Sequence, residues 1–355
     1  MTPRQRILDT INRKPADKPA FSLGFGINGP AKTGLAKHLG ITGAELDAFL
    51  GKCTDLRWTG PKYTGPADRN VDHGDGSYTD IWGVTRAPVS YGSGSYHEIC
   101  HYPLAGVERA GDLDKHVFPS PDWFDFSTFA EICDRAHAEA GQALVLGCGN
   151  LFESAWYMRG FETMLADLLA EPEIAHAIMG RVTDFFAEFS RRALEAANGR
   201  IDIAFTADDI GGQEGLLMSL PLWGEMIKPY HVRLNKMLHG FGVKIMYHSD
   251  GAVMDALEGL VDMGIDVLEA LQFDAKWMDP AEMKRRVGDR ISFHGGVSVQ
   301  STLPFGTPED VEREVRERLA VLGANGGYIL APSHAIQAGT PPENIVALLK
   351  AAGCM

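Results

Sequence analysis

Residues 243–251 read Val-Lys-Ile-Met-Tyr-His-Ser-Asp-Gly. A short, largely apolar run ends directly in a histidine, a serine, an aspartate and a glycine. A run of this length, rich in β-formers and bounded by a turn dipeptide, suits a buried strand. The pattern recurs through the second two thirds of the chain, at 143–147, 201–206, 267–271, 291–294 and 328–331. Between the runs lie stretches of helical period at 161–169, 174–197, 222–238, 254–262, 280–287 and 308–322. Strands alternating with helices imply parallel pairing through right-handed crossovers, and apolar strands imply a covered sheet. Six such units, with one or two more expected nearer the N-terminus, fit a (β/α)8 TIM barrel better than an open sheet. No G-x-G-x-x-G follows any run, which counts against a dinucleotide-binding sheet.

The first 125 residues are less regular. Residues 1–14 have a helical pattern that should stop at Lys14-Pro15, because a residue before proline is pushed out of the helical region. A short apolar run at 20–25 follows. Residues 26–120 are rich in Gly and Pro and read as long loops with an antiparallel pair near 78–90. No repeat or linker divides the chain, so one domain over residues 1–355 is expected, a usual length for an α/β barrel.

Composition excludes several classes. With 45% hydrophobic and 23% charged residues the chain can bury a large core. Its formal charge of −14 opposes binding to nucleic acid or anionic membranes, which need a basic face. No apolar run reaches the ~18 residues of a membrane span, and the charged N-terminus lacks a signal-peptide core. The five cysteines form no C-x-x-C pair and read as reduced thiols of a cytoplasmic protein, not as a zinc scaffold.

In barrel enzymes the active site lies at the C-terminal ends of the strands. Here those ends carry Glu153, Asp208-Asp209, His248-Ser249-Asp250, Glu269, His294 and Ser333-His334. His248, Glu269 and His334 offer N, O and N donors, a set used by catalytic zinc and equally open to iron(II) or another divalent ion. Asp250 is either a ligand, a partner behind the ligands, or simply a turn residue. Asp208 and Asp209 are candidate acid/base groups, since adjacent carboxylates raise each other's pKa. Glu153 is a candidate substrate contact. Asp80 is a weaker catalytic candidate, and Trp82, Trp156 and Phe25 line a pocket or pack in the core. The remaining histidines, including His231, read as surface or packing residues.

Several stretches resemble the uroporphyrinogen decarboxylase superfamily, in the branch of the corrinoid-linked methyltransferases. They are Met1-Thr-Pro-Arg-Gln-Arg6, Tyr78-Thr-Asp-Ile-Trp-Gly-Val84, Ala207-Asp-Asp-Ile-Gly211, Met246-Tyr-His-Ser-Asp-Gly251, Gly326-Gly-Tyr-Ile-Leu330 and Thr340-Pro-Pro-Glu-Asn-Ile345. The resemblance implies a single distorted barrel, and homodimers are common among the decarboxylases. It also implies that Asp80 sits near a catalytic aspartate. True decarboxylases carry an arginine-rich N-terminal segment that grips the carboxylates of the substrate, whereas residues 19–30 here contain no basic residue. Thiol-methylating zinc members use His-x-Cys and a later Cys, positions that here hold Asp250 and His334. The expectation is therefore a methyltransferase acting on a small O- or N-methylated substrate. Zinc or another divalent metal serves as Lewis acid, and a corrinoid protein or tetrahydrofolate accepts the methyl group. The alternative is a metal-independent decarboxylase of a small acid or tetrapyrrole-like substrate.

Overall fold

The computed structural model describes residues 1–90, 92 and 94–355. Eight parallel strands form a nearly closed barrel: β1 (Ala20–Phe21), β2 (Leu56–Thr59), β3 (Ala143–Asn150), β4 (Ile203–Ala207), β5 (Lys244–His248), β6 (Val267–Ala270), β7 (Ser292–Val297) and β8 (Tyr328–Pro332). From β2 to β8 each strand pairs with its sequence neighbour, and β1 pairs with β8. Strands β1 and β2 stand at the two ends of this ladder. The six strands expected from the apolar runs are present, with ends shifted by at most a few residues.

The seam between β1 and β2 is bridged by one residue, Asp55. The Asp55 amide donates to the Phe21 carbonyl at 2.8 Å, and its Oδ2 accepts the Phe21 amide at 3.0 Å. Its Oδ1 pairs with Arg6 of the helix Pro3–Ile11. Asp202 and Asp266 hold the same position before β4 and β6. Asp202 accepts the Leu144 amide at 3.0 Å and Arg4 Nε at 2.8 Å. Asp266 accepts the Ile245 amide at 2.8 Å and Lys244 Nζ at 2.9 Å. Three aspartates thus satisfy strand-end amides that would otherwise be orphaned at the barrel floor. Ile7 and Ile11 of the first helix pack into the interior with Leu56, Val145, Ile203, Met246, Val267 and Ile329, so this helix plugs the floor.

The region read as loops is more ordered than its composition suggested. Helices Gly29–Leu39 and Gly43–Cys53 precede β2, and the second begins in a capping box between Thr42 and Glu45. The expected antiparallel pair is part of a four-stranded meander, Val71–Asp72, Tyr78–Thr79, Thr85–Ser90 and Ser95–His101. The helical stretch at 222–238 is two helices, Leu220–Met226 and Lys228–His239. The break falls at Ile227, just ahead of Lys228-Pro229, because proline lacks an amide and enters a helix only in its first turn. Among the described residues no helix is long and apolar enough to cross a membrane.

Candidate active site

The C-terminal ends of β3, β4 and β5 and the loop after β8 converge on a cavity of about 470 Å³. It is lined by Phe25, Asn150, Glu153, Tyr157, Phe186, Phe205, Asp209, His248 and His334, together with small residues. Among the described residues no lysine or arginine lines it. This volume lies toward the lower end of the roughly 300–1,000 Å³ usual for small-molecule sites.

His248 ends β5 directly opposite Glu269 of β6. The Glu269 carboxylate binds His248 Nδ1, and its other oxygen is 3.6 Å from His294 Nδ1. Burial works against charge on both members of the His248–Glu269 pair. Their contact more than offsets it, raising the pKa of His248 and lowering that of Glu269. With Nδ1 engaged, His248 turns Nε2 toward Asp209 at 3.5 Å and Asp250 at 4.0 Å. His334 Nε2 lies 3.9 Å from the other oxygen of Asp250.

His248, Asp250 and His334 each bring a ligand-competent atom within 4.8 Å of the others. Glu269, expected as the third donor, is instead spent on the Nδ1 side of His248, and Asp250 stands in its place. The reason is register. Glu269 points from β6 onto the neighbouring strand, whereas Asp250 lies beyond the end of β5 in a turn that frees its side chain. That turn depends on Gly251, whose φ is +80° and whose missing Cβ would lie 2.5 Å from the carbonyl carbon of Gly211. The turn reading of Asp250-Gly251 and the ligand reading of Asp250 are therefore compatible. Burial is the main cause of a raised Asp250 pKa, opposed by His248 and reinforced by Asp209.

The two adjacent aspartates have separate fates. Asp209 lines the cavity and accepts the Asp250 amide at 2.7 Å. Asp208 is fully buried and points away. Its carboxylate accepts the amides of Phe152 and Glu153, each at 2.8 Å, and binds His231. It caps the helix Leu151–Arg159 where the free amides and helix dipole favour an anion. With both oxygens occupied, Asp208 is a structural anchor and not the acid/base group expected of it. His231, read as packing, is its partner.

Glu153 sits on the first turn of that helix, only 8% exposed. Tyr157, one helical turn on, donates to its Oε1 at 2.7 Å. Burial, then the charges of Asp209 and Asp208, push its pKa up to about 8, so Glu153 keeps its proton at neutral pH. The Glu153-x-x-x-Tyr157 spacing could have revealed this contact, since residues four apart share a helix face. Phe25, Trp58 and Phe205 form an aromatic cluster beside His248, with Phe25 and His248 ring centroids 5.1 Å apart.

The other expected site residues lie off the cavity. Asp80 holds its own turn, accepting the amides of Trp82 and Val84, and pairs with Arg86. Trp82 is buried against Phe185 and Phe186, and Trp156 packs on Tyr157 and Phe161. Both tryptophans support lining residues without lining the cavity themselves.

Residues 89–353 match the uroporphyrinogen decarboxylase (URO-D) family. The chain belongs to that family. Among the relatives of this URO-D chain, a methylated-thiol–coenzyme M methyltransferase of Methanosarcina mazei is 30% identical over 56% of the chain and 50% of the relative. A uroporphyrinogen decarboxylase of Psychromonas ingrahamii is 24% identical over 66% of the chain and 65% of the relative. The chain thus spans between half and two thirds of these relatives' lengths. A Saccharophagus degradans uroporphyrinogen decarboxylase is 23% identical over 88% of the chain and 87% of its own length. The fold is shared with a methyltransferase from Methanosarcina mazei, at a TM-score of 0.68, 18% identity and coverage of 99% and 98% of the two chains. These relatives are enzymes, and they cover both methyl transfer and decarboxylation.

Proposed function

We propose that this URO-D chain is a methyltransferase that removes a methyl group from a small O- or N-methylated substrate and passes it to a corrinoid protein or a folate. The observation carrying this reading is the grouping of His248, Asp250 and His334 at the rim of a cavity whose described lining holds no lysine or arginine. Two imidazoles and a carboxylate suit zinc or another divalent ion. The contact of Glu269 with Nδ1 fits the support a metal-binding histidine usually has. When bound, such an ion supplies Lewis acidity toward a heteroatom lone pair.

The protein's own groups would do the rest. Glu153, held protonated and positioned by Tyr157, donates a proton to the heteroatom as the methyl group leaves. Phe25 and Phe205 exclude water beside the donors, and Asp209 braces the Asp250 loop through its amide.

The decarboxylase reading draws support from the family match and from the named decarboxylases. The described lining, however, holds no lysine or arginine to pair with the carboxylates of an acidic substrate, and Asp80 is occupied by Arg86. The test is metal analysis of the purified protein beside His248→Ala. It is paired with a screen of methyl ethers and methylamines in which methylation of cob(I)alamin is followed by absorbance. Metal lost in the variant together with methylated cobalamin would support the proposal. Carbon dioxide release from a carboxylic acid without metal or methyl transfer would overturn it.

A further inference from the structure

Two cysteines separated by almost the whole sequence meet at the barrel floor. Cys53 ends the helix Gly43–Cys53, two residues before the seam residue Asp55, and Cys354 follows the helix Pro342–Ala351. The Cys354 thiol donates to the Cys53 carbonyl oxygen at 3.7 Å. It is also within hydrogen-bonding reach of the Cys53 sulfur. The backbone around the pair is already held. The Cys354 amide donates to the Leu349 carbonyl at 2.9 Å, and Lys18 Nζ reaches the Gly353 carbonyl at 3.3 Å. Cys53 is buried and Cys354 half-buried, whereas Cys133 and Cys148 are buried elsewhere and Cys100 is exposed.

We propose that Cys53 and Cys354 form a reversible intramolecular disulfide, a redox-modified site that takes small disulfides of the glutathione type as its oxidant. One thiolate of the pair attacks the glutathione disulfide, breaking its S–S bond and releasing one glutathione thiol. The second cysteine attacks the resulting mixed disulfide and releases the second glutathione. Two protein thiols are oxidised to one S–S bond, and one glutathione disulfide is reduced to two thiols, which take up the two protons. The contact between the two side chains lowers the Cys53 pKa and raises that of Cys354, so Cys53 is the more readily ionised of the pair. The bond would tie the segment after the last helix to the segment that closes the β1–β2 seam. Because it closes a very long loop, its constraint on the unfolded chain is large.

The test is incubation of the full chain with oxidised glutathione, alkylation under denaturing conditions, intact mass measurement and peptide mapping. The expected result is loss of two hydrogens, two fewer alkylated thiols than the five present, and a cross-linked 53–354 peptide that dithiothreitol releases. The oxidised protein should melt higher than the reduced one. Cys354→Ser, a substitution at a half-buried position, should lose the cross-link and the melting shift. Glutathione adducts remaining on Cys53 or Cys354 with no linked peptide would overturn the proposal. So would a melting shift that persists in Cys354→Ser.

Discussion

Glu269 and His248 stand at one level of two adjacent strands, and the carboxylate of the first holds Nδ1 of the second. This contact orients the imidazole so that Nε2 faces Asp209 and Asp250. Glu269→Gln keeps the shape but removes the charge. Zinc affinity should fall by about 10–100-fold, the usual cost of losing a carboxylate behind a ligating histidine. Competition with a coloured chelator measures this. Unchanged affinity would remove Glu269 from any supporting role.

His334 is the most accessible of the three, with 41% of its side chain exposed against 30% for Asp250 and 7% for His248. Replacing it with alanine should change stability by no more than about 0.5 kcal/mol, as expected for an exposed site. Bound metal should nevertheless fall well below one equivalent. Denaturant unfolding and elemental analysis on the same sample separate the two effects. A His334→Ala protein that retains full metal would exclude it as a ligand.

Glu153 carries the pH dependence. Its folded pKa of about 8 exceeds the ordinary glutamate value, so the native state binds the proton more tightly than the unfolded chain. Its stabilising contribution is complete below the unfolded pKa and is lost as pH rises through about 8. Between pH 5 and 9 the chelator-treated protein should lose on the order of a few kcal/mol that Glu153→Gln does not lose. Urea titrations of both proteins at the two pH values give the difference. Parallel pH dependence in the two would show that other groups carry it.

At the opposite end of the barrel, Asp55 serves two strands and a buried arginine. Asp55→Ala would leave the Phe21 amide without this carboxylate acceptor and Arg6 with the more exposed Asp17 as its remaining carboxylate among the described residues. The expected loss is about 3 kcal/mol, read from the urea midpoint. A loss below about 1 kcal/mol would mean that backbone pairing alone holds the seam.

Much of the fold was legible because barrel strands are nearly continuous apolar runs and their crossover helices keep a 3.6-residue period. β1 falls within the apolar run noted at 20–25 but has only two residues, and β2 was not legible, since its Trp58 is 46% exposed. Their identity depends on pairing with β8 and β3, and pairing partners are not a local property. The Thr42–Glu45 capping box was a readable signal that the Gly- and Pro-rich composition obscured.

The sequence by itself determined the class of fold and the acids and histidines that gather at the C-terminal ends of the barrel strands. Strand period and strand-end position are local consequences of side-chain type and spacing, so they survive without coordinates. Only the tertiary structure decided between neighbours of the same chemistry: Asp209 faces the cavity while Asp208 caps a helix, and Asp250 joins the histidines while Glu269 stands behind one. These choices depend on strand register, on the direction of each side chain and on which buried amides need an acceptor. Such quantities exist only once distant segments have come together.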